Sequence, residues 1–185
     1  MIADVVRDTE GRMGKAIDVL RRDLASVRTG RASPSLVERV SVDYYGTPTP
    51  INQMAGISVP EARLLVIQPW DRGTIPAIEK AIQKSELGLN PNNDGQVIRI
   101  AIPALTEERR KQLVKAVHQH AEEGKVALRN IRRDAIGSIR ELTNERMVSE
   151  DDERRGTSQI EEMTKKFVDE IDRIGKGKEH EVMEV

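Results

Sequence analysis

The 185-residue chain contains no cysteine, only four aromatic residues and no long hydrophobic run. The lack of cysteine excludes a disulfide scaffold, a thiolate zinc site and a cysteine nucleophile. The longest strongly apolar run is Leu64–Ile67, which is too short for a transmembrane helix. The first ten residues carry Asp4, Arg7 and Asp8 and lack the apolar stretch of a signal peptide. We therefore expect a soluble cytoplasmic protein without a membrane partner.

Charged residues make up 33% of the chain, but acids and bases nearly cancel and the formal net charge is −1. This balance excludes a simple polycation. High charge combined with so few aromatic rings is typical of long amphipathic helices rather than of a compact, aromatic-rich core. The length allows one large domain or two small ones.

Two long segments have apolar residues at helical spacing. Apolar residues recur at steps of four and three over Met13–Val27, which predicts a helix from near Ile2 to Thr29, ended by Gly30. In the second segment, no proline interrupts Thr106–Arg146, and apolar positions recur about every 3.6 residues. The second predicted helix is therefore roughly 60 Å long, too long for the interior of a small compact domain.

A third helix is predicted after Ser149, which is a good capping residue followed by four acids. We expect Gly175 and Gly177 to weaken or end this helix. Three helices with apolar stripes must bury those stripes together. The sequence therefore predicts an elongated antiparallel three-helix bundle.

Residues 31–104 have a different composition, because they contain both tyrosines, the tryptophan and all eight prolines. This pattern predicts a small inserted β/α/β-type domain and hence an α+β fold, with the bundle formed by residues 1–30 and 105–185. Two short crossings, near 29–31 and 103–105, predict a hinge between the domains.

Within the inserted domain we predict four strands, near 40–44, 57–59, 63–68 and 97–102, and we expect the third to be buried on both faces. We also predict a helix that begins at Ile75 and is closed by Gly88, and turns at 45–50 and 90–95.

Basic charge is concentrated on the second predicted helix. Residues 105–133 hold eight Lys or Arg against four Glu, whereas residues 134–185 hold nine against fifteen acids. Lys125, Arg129, Arg132 and Arg133 lie within about a third of a turn of one another around the helix. No acid lies three or four residues from any of the three arginines. Like charges therefore repel on this face, where a mixed face would gain from ion pairs.

Two explanations of this basic face remain open from the pattern alone. In the first, acidic residues of the other two helices pair with the arginines. In the second, the arginines bind an external polyanion. Arginine offers planar, bidentate donors to phosphate, and a rigid helix face suits a nucleic-acid backbone. Because no aromatic residue accompanies the face, base stacking on single strands is disfavoured, and folded RNA read through shape and phosphates is favoured.

No arrangement of residues indicates a catalytic centre. The segment Asn90–Gly95 begins like a calcium loop, but Ala101 occupies the position that requires a bidentate Glu. His120 with Glu123 would hold a metal only with ligands from another helix, and a packing role is favoured. We expect a binding and mechanical protein that is not an enzyme and has no metal or cofactor. The alternative to RNA binding is a helical protein-binding scaffold or chaperone.

Five long motifs occur in order across both proposed domains, namely Arg28–Pro34, Tyr44–Pro50, Leu87–Pro91, Leu105–Arg110 and Val126–Ala135. With these motifs, the whole chain resembles the bacterial ribosome recycling factor family. The resemblance implies an L-shaped molecule of about transfer-RNA size. One arm is then the three-helix bundle and the other is the inserted domain.

The resemblance also implies a function. Such a protein disassembles the post-termination complex with elongation factor G, splits the ribosome into subunits and releases it from messenger RNA for a new round. GTP is used by elongation factor G, so this chain is expected to need no cofactor of its own. The ribosome is the expected partner, mainly through large-subunit ribosomal RNA, and we expect the chain to be a monomer.

Two sets of residues follow from the same resemblance. The first set is expected to contact ribosomal RNA and comprises Arg28, Arg110, Arg129, Arg132 and Arg133. The second set is expected to form the hinge and comprises Gly30, Arg31, Ala104 and Leu105. Arg31 is expected to serve as a hinge residue, an RNA contact or both.

Overall fold

A computed structural model of the chain describes residues 1–184, which form two compact units. Unit 1 comprises Met1–Arg28 and Glu107–Glu184, and unit 2 comprises Thr29–Thr106. The boundaries drawn from the sequence, at residues 30/31 and 104/105, each lie two residues inside unit 2. No helix within residues 1–184 combines the length and the apolarity that crossing a membrane requires.

The elements confirm the predicted α+β class. In chain order the helices are α1 (Ile2–Ala25), α2 (Ile75–Lys84), α3 (Glu107–Asn144) and α4 (Glu150–Met183). The strands are β1 (Ser41–Tyr44), β2 (Thr47–Pro50), β3 (Ala55–Glu61), β4 (Leu64–Pro69), β5 (Pro91–Asn93) and β6 (Ile98–Ala101).

Unit 1 is a three-helix bundle of α1, α3 and α4, each of which buries one apolar stripe. Ile2, near the start of α1, lies against Ile139 near the end of α3, and both line the space around Gly156 of α4. Leu20, near the end of α1, lies beside Gly124 in the middle of α3. The helix α1 therefore runs antiparallel to α3. The fully buried stripe residues include Met13, Val117, Leu128, Ile139, Ile160 and Ile171.

The end of α1 differs from the prediction, because the helix stops at Ala25 and not at Thr29. The hydroxyl of Ser26 donates to the carbonyl of Asp23 at 2.6 Å, and the Ser26 amide donates to the same carbonyl. This local hydrogen bonding by a serine side chain competes with continuation of the helix. Gly30, predicted to end the helix, therefore lies outside it.

The end of α4 also differs from the prediction, because Gly175 and Gly177 neither weaken nor end it visibly and the helix continues to Met183. Gly175 is buried, and a Cβ placed there would lie 3.6 Å from the Cβ of Ala121. Val182, about two turns further on, is fully buried. Burial beyond the glycines therefore outweighs their low helix propensity.

The predicted start of α4 is confirmed, since Ser149 and Asp152 form a reciprocal capping box. Ser149 Oγ accepts the Asp152 amide at 3.2 Å, and the Asp152 carboxylate accepts the Ser149 amide at 3.3 Å. The Ser149 hydroxyl also donates to the Asp152 carboxylate at 2.7 Å, and this bond, together with the one from the Ser149 amide, lowers the pKa of Asp152. The negative charge at the helix N-terminus is thereby favoured.

Unit 2 contains a four-stranded antiparallel sheet in the order β3-β4-β6-β5, a separate β1–β2 hairpin and the helix α2. The hairpin and the sheet share one core with α2. Its fully buried members are Val37, Val42, Ile51, Leu65, Ile67, Ile78, Ile82, Ile98 and Ile100.

Three sequence predictions in unit 2 are wrong in detail. Residues 45–50 are not all turn, because Thr47–Pro50 forms β2. Strand β4 is not buried on both faces, since Leu65 and Ile67 are buried while Val66 between them is only half-buried and Gln68 is exposed. Residues 90–95 are not all turn, because Pro91–Asn93 pairs with β6 as a short edge strand. In the first and third cases a short turn joins the two paired strands, so residues that favour turns also form part of a strand.

Candidate nucleic-acid interface

Four exposed arginines surround a shallow depression of about 580 Å³ on α3. These residues, Arg129, Arg132, Arg133 and Arg140, are called the arginine patch below. Val126, Ile136 and Gly137 are also part of the lining. Arg140 was missed in the sequence analysis, although it lies seven residues from Arg133, a separation that returns to nearly the same helix face.

Two cations of the predicted basic face have carboxylate partners, one on another helix and one on the same helix. Lys125 Nζ lies 2.6 Å from Asp172 of α4. Arg129 Nη2 lies 2.6 Å from Glu122, seven residues earlier on the same helix. The prediction considered only residues three and four positions from each arginine, and Glu122 lies seven positions from Arg129. Both partners of the Arg129 pair are about half exposed, so the pair orients Arg129 without removing it from solvent.

Arg132 and Arg133 are the cations of this face that remain available. Within residues 1–184, neither has a carboxylate within 4.0 Å, and both are exposed. Arg133 donates to the amide oxygen of Asn130 at 3.3 Å. The carboxylate of the neighbouring Asp134 is paired with Arg12 of α1 at 3.0 Å, and not with an arginine of the patch. Of the two explanations left open above, acids from adjoining helices therefore account for Lys125 but not for this arginine pair.

The five arginines predicted to contact RNA do not form one continuous surface. Arg110 lies in the first turns of α3, about 28 Å along the helix axis from Arg129. It is half-buried, and its Nε is buried without a hydrogen-bond partner in the described part of the chain. Arg28 is exposed and follows the end of α1. The RNA-contact role of each of these five residues stays a prediction.

The residues predicted as a hinge lie at the two chain crossings, and two of them touch. Gly30 is buried with φ +77°, and a Cβ there would lie 3.0 Å from Leu105 Cγ. Such a backbone conformation favours glycine. Arg31 and Ala104 are exposed. The hinge role of all four residues stays a prediction.

The histidine considered as a metal ligand lies in the bundle. His120 Nδ1 is buried, 3.9 Å from an Asp23 carboxylate oxygen and 3.7 Å from one of Glu123. In residues 1–184, no group of three or more histidine or acidic side chains is arranged to hold a metal. The polar turn at 90–95 uses its side chains on its own backbone, since Asp94 accepts the amides of Gln96 and Val97 at 2.9 Å. These bonds, first of all that from Val97, together with Arg99, hold the pKa of Asp94 well below its usual range.

Comparison with known proteins gives a consistent result over the whole chain. A family model described as ribosome recycling factor matches residues 20–183. The ribosome-recycling factors of Thermomicrobium roseum and Syntrophomonas wolfei are 57% and 58% identical to the chain over 185 residues. Each match covers 100% of this chain and 100% of the related protein.

Two solved structures are similar to the chain. A solution structure of the ribosome recycling factor is 44% identical, with a TM-score of 0.76, and the match covers 100% of this chain and 98% of the other. A second structure describes models for the T. thermophilus ribosome recycling factor and the E. coli elongation factor G bound to the E. coli post-termination complex. It is 45% identical with a TM-score of 0.64, covering 99% of each chain.

Proposed function

Because the chain belongs to the ribosome recycling factor family, we propose that it binds large-subunit ribosomal RNA through its arginine patch. The chain acts as a translation factor that recycles ribosomes after termination. The observation that carries the proposal is that Arg132 and Arg133 are exposed on one helix face and have no carboxylate partner among residues 1–184. An adjacent pair of unneutralised guanidinium groups is unfavourable in the free protein and favourable against phosphates.

The patch recognises RNA through the phosphate backbone and the shape of the RNA. Its lining contains no aromatic side chain on which a base would stack. Guanidinium groups bind phosphate oxygens bidentately, and the helix fixes their spacing before binding, so little conformational entropy is lost. Glu122 holds Arg129 at one end of the patch in a defined orientation.

The remaining partners follow from the family. A related factor is described together with elongation factor G on a post-termination complex, and we extend both partners to this chain. In this proposal elongation factor G uses GTP, and the chain, acting as a cytoplasmic monomer, contributes binding and displacement but no bond chemistry. The two crossings at Gly30–Arg31 and Ala104–Leu105 serve as the hinge about which unit 2 is displaced.

The Gly30→Ala variant tests the hinge. Alanine at φ +77° is strained by about 1 kcal/mol, and its Cβ meets the Leu105 side chain, so the local backbone must shift. We expect subunit splitting with elongation factor G and GTP to slow several-fold while ribosome affinity changes less than twofold. Proline is a poorer test at this position because its ring cannot reach a positive φ. Equal loss of splitting and affinity would contradict the hinge.

A salt series tests the RNA contact. Binding of the wild-type chain to ribosomes is measured from low to high KCl by sedimentation. Each phosphate contact adds about 0.7–0.9 to the slope of log Kd against log salt, so the four arginines of the patch predict a slope of about 3. A slope near zero would favour the alternative, a helical scaffold that binds protein surfaces.

A further inference from the structure

Strand β1 in unit 2 has one edge paired and one edge open. The hairpin turn, Tyr45 and Gly46, has φ angles of +49° and +85°, as a two-residue type I′ turn requires. In such a hairpin the residues that flank the turn exchange hydrogen bonds, and every second pair along the ladder does the same. Given the register, Val42 and Tyr44 bond to β2. The amides and carbonyls of Ser41 and Asp43 therefore point away from β2, toward the open edge.

The open edge has no partner in the described part of unit 2. Outside the β1–β2 ladder, no backbone–backbone hydrogen bond within residues 1–184 involves the amide or carbonyl of Ser41 or Asp43. The Asp43 carboxylate is occupied, because its Oδ1 accepts the Gly46 amide at 2.8 Å. The edge thus offers two amide donors and two carbonyl acceptors in the spacing of a β-ladder.

The outer edge of β2 is closed by contrast. Pro48 and Pro50 stand opposite Asp43 and Ser41, in the positions whose amides would point outward. Proline has no amide hydrogen, and proline on an edge strand prevents pairing with other chains. The hairpin is therefore protected against strand addition on one side only.

A groove of about 650 Å³ runs along the open side, between β1 and α2. Apolar side chains of Val40, Ala77 and Ala81 line it, so an entering chain meets small side chains on α2. Lys80 and Lys84 are also in the lining and are exposed, and within residues 1–184 neither has a carboxylate within 4.0 Å.

We propose that this edge and groove bind an extended acidic peptide segment of a partner protein, which adds to β1 as a further strand. Up to four backbone hydrogen bonds to Ser41 and Asp43 supply affinity, as in other cases of strand addition. Residues four apart on a helix are separated by about 6 Å along its axis, and alternate residues on a strand by about 6.7 Å. Acids at alternate positions of the peptide therefore match Lys80 and Lys84. The proposal concerns unit 2 and does not depend on the RNA contact in unit 1.

The test uses the full chain and a fluorescent, end-capped peptide of alternating Glu and Thr, with binding followed by anisotropy. We expect saturable binding that the double variant Lys80→Glu/Lys84→Glu weakens about tenfold or more, because two exposed ion pairs become repulsive. A peptide with Lys in place of Glu is expected not to bind. The matched control, Lys165→Glu/Lys166→Glu on α4, makes the same change in net charge and is expected to shift Kd less than twofold.

The backbone contact is tested separately from the charges. Methylating the peptide nitrogens that face β1 removes their hydrogens and is expected to abolish binding, and so is Ser41→Pro, which gives β1 the protection that Pro50 gives β2. Should Ser41→Pro fail to fold, as judged by circular dichroism, the methylated peptide decides. The proposal is overturned if the methylated peptide binds as tightly as the unmodified one, if the α4 control loses as much affinity, or if the wild-type chain does not bind.

Discussion

The double variant Arg132→Glu/Arg133→Glu is expected to lose about 3–5 kcal/mol of ribosome binding, which is a factor of roughly one hundred to several thousand in Kd. Each arginine lost removes a charge-assisted contact to phosphate, and each glutamate added is repelled by the same phosphates. The measurement is equilibrium binding to ribosomes at fixed salt. The slope of log Kd against log salt is expected to fall along with the affinity.

Stability separates this result from simple unfolding. Arg132 and Arg133 are exposed and have no carboxylate partner in residues 1–184, so their reversal is expected to change the free energy of unfolding by no more than about 0.5 kcal/mol. Lys165→Glu/Lys166→Glu is the matched control, an adjacent pair on α4 with acids three and four residues away on both sides. We expect the control to bind ribosomes normally. Equal loss in both variants would show that total charge, and not the patch, governs binding.

Ile139→Ala is expected to cost about 2–5 kcal/mol of the free energy of unfolding, the usual range for removing a fully buried isoleucine. Ile139 packs with Ala135 and Ile160 in the core near the start of α1. Its Cδ1 lies 3.2 Å from where a Cβ of Gly156 would stand, so the helices are close here. Close helices relax poorly into a cavity, which places the expected cost in the upper half of the range.

The measurement is urea unfolding followed by far-ultraviolet circular dichroism, which is dominated by the three bundle helices. Val19→Ala is the control, because Val19 lies on the solvent side of α1 and is 48% exposed. We expect the control to change the free energy of unfolding by less than about 0.5 kcal/mol. A cost below about 1 kcal/mol for Ile139→Ala would mean that this end of the bundle contributes little to stability.

The helices of unit 1 were predictable because their determinants are local. The repeat of apolar residues along α3 reflects the helical period itself, and Ser149 with Asp152 caps α4 through bonds within one turn. The error at the end of α4 arose because distant contacts decide where this helix ends. Helix α4 continues past Gly175 because Ala121 and the burial of Val182 support it, and neither is visible in a local pattern.

The site was predictable in part for the same reason. The concentration of arginines on α3 follows from sequence spacing, and the structure leaves Arg132 and Arg133 exposed. The pairing of Lys125 with Asp172 was not predictable, because it joins residues of different helices whose register depends on packing. The Arg129–Glu122 pair spans two helical turns, beyond the neighbours that helix geometry brings into first contact.

By itself the amino-acid sequence determined the three amphipathic helices, the insertion of a strand-rich unit between the first two, and the basic face of α3. These properties depend on periodicity and composition, which are local. Only the tertiary structure decided which cations are neutralised and which strand edge stays open. Both depend on side chains and strands that are far apart in the chain and that packing brings within a few ångströms of one another.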